Sequence, residues 1–265
     1  MKTPPKLAAA LLLAALNAQL TTSFAQGSLT PPGAPAATMK TLAQIEPRTP
    51  IAAAPFTISE PGSYYLTTNL IAATGNIITI TTNNITLDLN GFALMGGSTA
   101  SYGVMVPNFQ TNIVIRNGHV TGFGFYGIYA ANVYGGRFER LLVRDNTYVG
   151  LMAGRAGIVS DCQALFNGGD GILAASYMAV VNCSAYNNKA VGIHVHETRS
   201  RIENNHMVSN GCGIKVETSG NLIIHNSVAN SVTNNYSVAS GNLFGPVVNS
   251  STIATNSNPH ANYDY

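Results

Sequence analysis

One motif returns along this chain at a nearly fixed interval: Gly103-Val-Met-Val, Gly127-Ile-Tyr-Ala, Gly150-Leu-Met-Ala, Gly171-Ile-Leu-Ala, Gly192-Ile-His-Val and Gly213-Ile-Lys-Val. Successive glycines are 24, 23, 21, 21 and 21 residues apart. The last three intervals are identical, so residues there can be compared column by column. A fixed period of this length means that no repeat buries its apolar side alone. Burial comes from stacking each repeat on the one before it.

Within the motif the apolar residues alternate. Leu151, Ile172, Ile193 and Ile214 form one inward column, and Ala153, Ala174, Val195 and Val216 form the next. Met152, Leu173, His194 and Lys215 lie between them and point the other way. Alternation with period two is the pattern of a strand. A second alternating set reads as Ser160, Val181, Ile202 and Ile223, interleaved with Asp161, Asn182, Glu203 and Ile224. Asn146, Asn167 and Asn188 each stand four residues before a motif glycine, with Ser209 in the fourth such place. Two or three short strands joined by Asn/Gly corners leave no room for a helix. The pattern predicts a solenoid with turns roughly 4.8 Å apart and asparagines bonding from turn to turn at the corners.

Composition supports that reading. Charged residues are only 9% of the chain, and no stretch carries the Lys/Glu/Arg face of a long amphipathic helix. Lys2 and Lys6, the apolar run Leu7 to Leu20 and Ser23-Phe24-Ala25 predict a signal peptide over residues 1–25. The product is then secreted, periplasmic or at the cell surface, and no later segment is long and apolar enough to span a membrane as a helix. Cleavage leaves 240 residues (265 − 25), with 11 basic (13 − 2) and 11 acidic side chains. A formal charge near zero argues against nucleic acid and against docking on anionic lipid. Residues 26–55, rich in Pro, Ala and Thr, read as a lead-in and N-terminal cap, with one short helix expected over Met39 to Ile45. Residues 56–248 read as the solenoid and 249–265 as a C-terminal cap. Cys162, Cys183 and Cys212 are too few for a disulfide framework and lack metal spacing. Cys162 and Cys183 share an inward column, either as buried thiols or as a bridge between rungs.

These repeats, with segments such as Asn83-Asn-Ile-Thr-Leu-Asp-Leu-Asn-Gly91 and Arg201-Ile-Glu-Asn-Asn205, resemble the right-handed parallel β-helix repeat proteins of the pectate-lyase-like superfamily. The resemblance covers about residues 56–248. It implies an all-β fold, a single-stranded right-handed parallel β-helix with short terminal caps, the handedness agreeing with that of parallel crossovers. It leaves activity open, because the superfamily holds lyases, hydrolases, epimerases and adhesins. Its calcium-dependent lyases hold the ion in clustered aspartates, and no such cluster exists here, so neither metal nor other cofactor is expected. Asn117-Gly-His119 and Gly213-Ile-Lys215 echo motifs of the pectin-hydrolysing relatives without their acids.

Two places offer chemistry. On the outward columns of adjacent rungs stand His194, His196, Lys215 and Glu217, with Glu197 and Arg199 at the next corner. A histidine beside Glu217 or Lys215 fits a general base, with the others holding a sugar carboxylate or hydroxyls. The plainer reading is a solvated ionic patch of small energetic weight. The second place is the column Asp161, Asn182, Glu203. Two turns put Asp161 and Glu203 roughly 9.6 Å apart, at the edge of the about 6.5–9.5 Å of an inverting carboxylate pair. Gln163, Ser184, Asn205 and Asn226 read as a polar column beside it. Tyr129, Met152, Arg199, Asn182 and Asn205 are the expected ligand contacts. Tyr64, Tyr65, Phe123, Phe125, Tyr126 and Tyr129 serve either as core or as a stacking surface for sugar rings, and Asp88 is expected to bond backbone. The leading expectation is a non-catalytic module binding a polysaccharide or cell-surface glycan, or another partner, on an outer face. A polysaccharide lyase or glycoside hydrolase acting on a uronic-acid-type polymer is the first alternative, and a structural envelope or appendage solenoid the second.

Overall fold

The computed structural model describes residues 46–265. The expected leader over 1–25 and the expected helix over Met39 to Ile45 lie outside the described residues. Each turn of the chain lays down three short parallel strands, one per face. The first face is led by the motif glycines. Its nine strands run from Phe56–Ile58 through Gly75–Ile80, Ala100–Met105, Tyr126–Tyr134, Leu151–Arg155, Ile172–Ala174, Val191–Val195 and Cys212–Val216 to Asn234–Val238, each pairing with the strand one turn on. The second face starts at Thr49–Ile51 and includes Ile158–Ser160, Ala179–Val181, Arg201–Glu203 and Leu222–Ile224. The third includes Gln163–Leu165, Ser184–Tyr186, His206–Val208 and Ser227–Ala229, and ends on Asn262–Asp264. Two long strands, Ile113–Thr121 and Arg137–Arg144, run through the second and third faces together. The solenoid thus begins at Thr49, earlier than the composition of the lead-in suggested.

On the first face the inward columns are the expected ones; on the second the inward column is Val159, Val180, Ile202 and Ile223, and Ser160 and Val181 lie in register with Glu203 and Ile224 instead. Leu151, Ile172, Ile193 and Ile214 are fully buried, as are Ala153, Ala174, Val195 and Val216 to within 1%. Their pairing register is the 21-residue period. Branched and small side chains stack on their own kind, so the core is a column of repeated contacts. The repeated glycine follows from the corner beside it. A Cβ at Gly192 would lie 2.7 Å from the Gly213 carbonyl oxygen and 3.0 Å from Asn210 Nδ2, too close for any side chain.

Each corner places one residue in the left-handed region, a conformation that Asn and Asp tolerate best. Ala156, Tyr177 and Arg199 do so after the first face; Asp161, Asn182, Asn204 and His225 after the second; Asp145, Phe166, Asn187, Ser209 and Asn230 after the third. Inside the corners run hydrogen-bonded ladders. Asn146, Asn167, Asn188 and Asn210 are all buried; the Oδ1 of each of the last three takes both the backbone N–H and the side-chain N–H of the asparagine one rung before, at 2.8–3.2 Å, and Asn146 Oδ1 takes the Phe123 N–H. A second ladder, Asn205–Asn226–Asn262, continues the column that begins with Cys162 and Cys183. Ser200, Asn221 and Asn242 form a third. Amide side chains are suited to this because each supplies an acceptor and two donors to backbone that the strand ladders miss. The thiols of Cys162 and Cys183 are buried and unbridged.

The ladders correct the columns read from sequence. The fourth asparagine is Asn210, and Ser209 is the left-handed residue before it. Two residues separate Ala174 from Tyr177 at the corner, and three separate Val195 from Arg199. That insertion is compensated before Cys212, which again pairs with Val191 at 21 residues. Between the two points the spacing is 22: Val181 pairs with Glu203, and Ser184 pairs with His206.

Candidate functional site

The first face carries one outward column in unbroken register through nine rungs: Thr57, Thr79, Met105, Tyr129, Met152, Leu173, His194, Lys215 and Ser237. From Met105 to Lys215 are five rung spacings, about 24 Å. Alternation of inward and outward side chains fixes the direction of every member. The structure therefore brings Tyr129, Met152, His194 and Lys215 onto one line, as the sequence suggested.

Toward the N-terminal half the column is flanked by an aromatic cluster. Tyr102 and Tyr126 stack nearly parallel at 5.8 Å, and Phe125 and Tyr148 at 5.4 Å. Tyr126 meets Tyr129 edge-on at 5.2 Å and Tyr148 at the same distance. Burial, reinforced by the neighbouring phenols and Asp170, pushes the Tyr126 hydroxyl up to about 12. Tyr102 and Tyr148 were not singled out from sequence, since neither lies in the strictly periodic stretch. Of the aromatics that were, Phe123 is fully buried and Tyr64 nearly so, which makes them core.

At the other end lies a chain of charges. His194 Nδ1 is 2.8 Å from Asp170 Oδ2, whose other oxygen accepts the Val191 backbone N–H at 3.0 Å. His194 Nε2 lies 3.2 Å from Glu217 Oε1 but off the line of a hydrogen bond, and it has no contact with solvent. Glu217 Oε1 in turn accepts from Lys215 Nζ at 2.6 Å. That hydrogen bond holds the Glu217 carboxyl below the usual carboxylate range and Lys215 above the usual amine range. His196 stands apart, its ring 6.2 Å from that of His194 and its Nε2 3.9 Å from Glu197 Oε1. Glu197 is held by Arg155, 42 residues earlier, through two hydrogen bonds of 3.1 and 2.6 Å. A hollow of about 360 Å³, lined by Lys189, Lys215, Thr233, Asn234 and Ser237 among others, adjoins this end.

The second place inferred from sequence does not assemble. Because of the 22-residue spacing, Glu203 pairs with Val181, while Asp161 and Asn182 belong to the left-handed corner column. Glu203 is tied to Arg201 at 2.5 Å and to His225 at 3.2 Å, and the arginine holds its carboxyl low. Asp161 accepts at 3.4 Å from Asn182 and lines a separate polar hollow of about 410 Å³ with His119, Arg140 and Gln163. Asn205 is 1% exposed inside its ladder, away from the outer face; the outward column there is Gln163, Ser184, His206, Ser227. Arg199 sits at a corner, 3.3 Å from the Tyr177 hydroxyl. Asp88 bonds the Asn90 N–H as expected and also pairs with Arg116 at 3.1 Å. Among the described residues no group of three or more His, Cys, Asp or Glu is placed to hold a metal ion.

Residues 70–236 match the family model described as right handed beta helix region. Among solved structures, the A-module of the mannuronan C-5 epimerase AlgE6 of Azotobacter vinelandii is similar with a TM-score of 0.49 and 12% identity, over 76% of this chain. The match covers 58% of that chain, so this protein spans little more than half of it. No curated protein matches this sequence.

Proposed function

The chain belongs to the right-handed β-helix family, and on that scaffold we propose that it binds a glycan chain along the outer face of the glycine-led sheet. The observation that carries the proposal is the continuous outward column, apolar and aromatic through Met105, Tyr129 and Met152 and ending on the exposed, hydrogen-bonding Lys215 beside Glu217. A sugar ring offers an apolar face of C–H groups and a rim of hydroxyls. The Tyr102–Tyr126–Tyr129 patch suits the face, and the exposed Lys215 and Glu217, braced by His194 and Asp170 beneath them, suit the rim. The signal peptide expected over residues 1–25 agrees with this reading, since glycans are met outside the cytoplasm. Among the described residues no helix is long and apolar enough to cross a membrane.

A second reading, acid–base chemistry on a polysaccharide, rests on the Asp170–His194 bond, which would orient an imidazole as a base is oriented. Against it stands the covered Nε2: Glu217 lies over the nitrogen that would take the proton, and Lys215 holds Glu217 there. The binding reading leaves Glu217 where Lys215 holds it. The test is retardation of the purified protein in gels containing uronic-acid or neutral polysaccharides, with parallel assays for new reducing ends and unsaturated products. Retention on at least one polymer is expected, weakened about tenfold by Tyr126→Ala, which is about 1.4 kcal/mol. Product formation abolished by His194→Gln would establish the catalytic reading instead. No retention and no product would leave a structural solenoid.

A further inference from the structure

Three of the six histidines, His206, His225 and His260, gather where the last segment of the chain returns to the solenoid. There Asn262–Asp264 pairs with Ser227–Ala229, and the Tyr236 hydroxyl lies 2.9 Å from Asn226 O and 3.0 Å from Tyr263 O. The Tyr265 ring stacks on His206. The segment between, residues 246–261, is fastened at one end by pairing of Val247 and Val248 with Asn262 and Tyr263 and at the other by the His225 backbone N–H, which donates to Ala261 O at 3.1 Å; over its exposed stretch 249–260 it meets the ring of His225. This residue occupies the left-handed corner position after the second face, with φ of 59°. Its Nδ1 is 3.2 Å from Glu203 Oε1, and its Nε2 is 2.6 Å from the carbonyl oxygen of Pro259.

Both partners of that ring only accept. Glu203 is kept ionised by Arg201, so it has no proton to offer. A neutral imidazole carries a single N–H and satisfies one of the two contacts; an imidazolium satisfies both. We propose that His225 is a protonation latch for the C-terminal segment: as an imidazolium it ties Pro259 to Glu203, and loss of its proton to solvent frees Pro259 and loosens the exposed stretch 249–260. Which bond fails follows from strength. A hydrogen bond to a carboxylate is roughly twice as strong as one to a neutral acceptor, so the remaining proton stays on Nδ1, toward Glu203. Nε2 then presents a lone pair to the Pro259 oxygen at 2.6 Å, and the contact becomes repulsive. The other titratable groups facing this ring are Arg201, through Glu203, and His260, whose ring lies 5.6 Å away on the segment itself. A charge on His260 opposes the latch, so the segment closes most firmly when His225 alone is charged. Gly245, Pro246, Asn258 and His260 also line one side of a hollow of about 640 Å³ whose other side includes Arg201, Leu222, Ile224 and Leu243.

The sign is that a contact made by the protonated form is present at low pH and lost as pH rises through the histidine's titration. Amide exchange, corrected for intrinsic rates, reads it at His225 and Asn262, whose N–H groups bond Ala261 O and Pro246 O at the two ends of the segment. Protection at these two positions is expected to fall at least fivefold between pH 5 and pH 8, with no change at Ile214 and Val216. In His225→Gln it is expected to be independent of pH. The proposal is overturned if wild-type protection is constant, or if the glutamine variant shows the same fall, which would assign it to His206 or His260. Ring nitrogen shifts of the unmodified protein give a second reading: both nitrogens of His225 must carry protons in the closed state, and a single-proton tautomer there refutes the latch.

Discussion

Asn188→Ala tests the reasoning about the corners most sharply. The side chain is 1% exposed and makes four hydrogen bonds: its Oδ1 accepts from Asn167 N at 3.1 Å and Asn167 Nδ2 at 2.8 Å, and its Nδ2 donates to Ala164 O and Asn210 Oδ1, both at 2.9 Å. On truncation Asn167 Nδ2 keeps Val143 O, and Asn210 Oδ1 keeps the Asn188 N–H. The Asn167 backbone N–H loses its acceptor inside the core. One orphaned buried N–H costs about 1–3 kcal/mol, and the remaining lost bonds about 0.5–1.5 each, so a loss of about 4 kcal/mol is expected. Denaturant unfolding followed by circular dichroism reads this as a lower midpoint at unchanged slope. The paired substitutions Asn210→Ala and Ser209→Ala locate the ladder. Asn210→Ala should resemble Asn188→Ala, since its Nδ2 serves Ala185 O and its Oδ1 serves Asn188. Ser209→Ala exchanges one left-handed residue for another and should cost under about 1 kcal/mol. Equal effects at 209 and 210, or a loss under about 1 kcal/mol at Asn188, would refute the account of what closes each turn.

Three glutamates, Glu197, Glu203 and Glu217, are held below the usual carboxylate range by Arg155, Arg201 and Lys215 respectively. Between their folded and unfolded pKa values the unfolded chain binds more protons, so their stabilisation is present above the ordinary glutamate value of about 4.3 and is lost as pH falls through the depressed folded values. Unfolding midpoints measured down to acidic pH should fall accordingly, and Arg201→Ala should flatten part of that dependence; a pH-independent midpoint would contradict the assignment. The thiols should be inert in the native state. Cys162, Cys183 and Cys212 are at most 8% exposed, and hydrogen bonding with Cys162, together with burial, pushes the Cys183 thiol up. Labelling by a thiol reagent should require denaturant and then find three groups; rapid native labelling at mildly alkaline pH would mean the corner opens. Met152→Lys, placing a charge in the middle of the outward column, should weaken glycan retention without moving the unfolding midpoint by more than about 0.5 kcal/mol.

The solenoid was legible because its first face cannot change length. Leu151, Ile172, Ile193 and Ile214 stack at 0% exposure, so one inserted residue there would turn an inward side chain outward. Corners obey a weaker constraint: an extra residue needs only a left-handed position and room outside. The third residue before Arg199 is such an insertion, and the compensating deletion before Cys212 hides it from any comparison anchored on the glycines. Everything between the two points was therefore read one residue out of place, which joined Asp161 to Glu203, put Ser209 in the ladder and turned Asn205 outward. The outward column of the glycine-led sheet escaped this error, being in register with the glycines themselves.

The same logic explains what was missed at the site. His194, Lys215 and Glu217 were found because they follow a motif glycine on the strand, where alternation declares their direction. Asp170 precedes Gly171, in a position filled by Val149, Val191 and Cys212 on neighbouring turns. A single acid in an apolar column was a usable signal, because a carboxylate is rarely held among such neighbours without a partner. Its partners are the Val191 N–H and His194, one rung on. Those two bonds fix the imidazole against the sheet and turn Nε2 toward Glu217. The charged end of the face is thus braced from the corner, so its geometry depends on the residue before the glycine as much as on the strand after it.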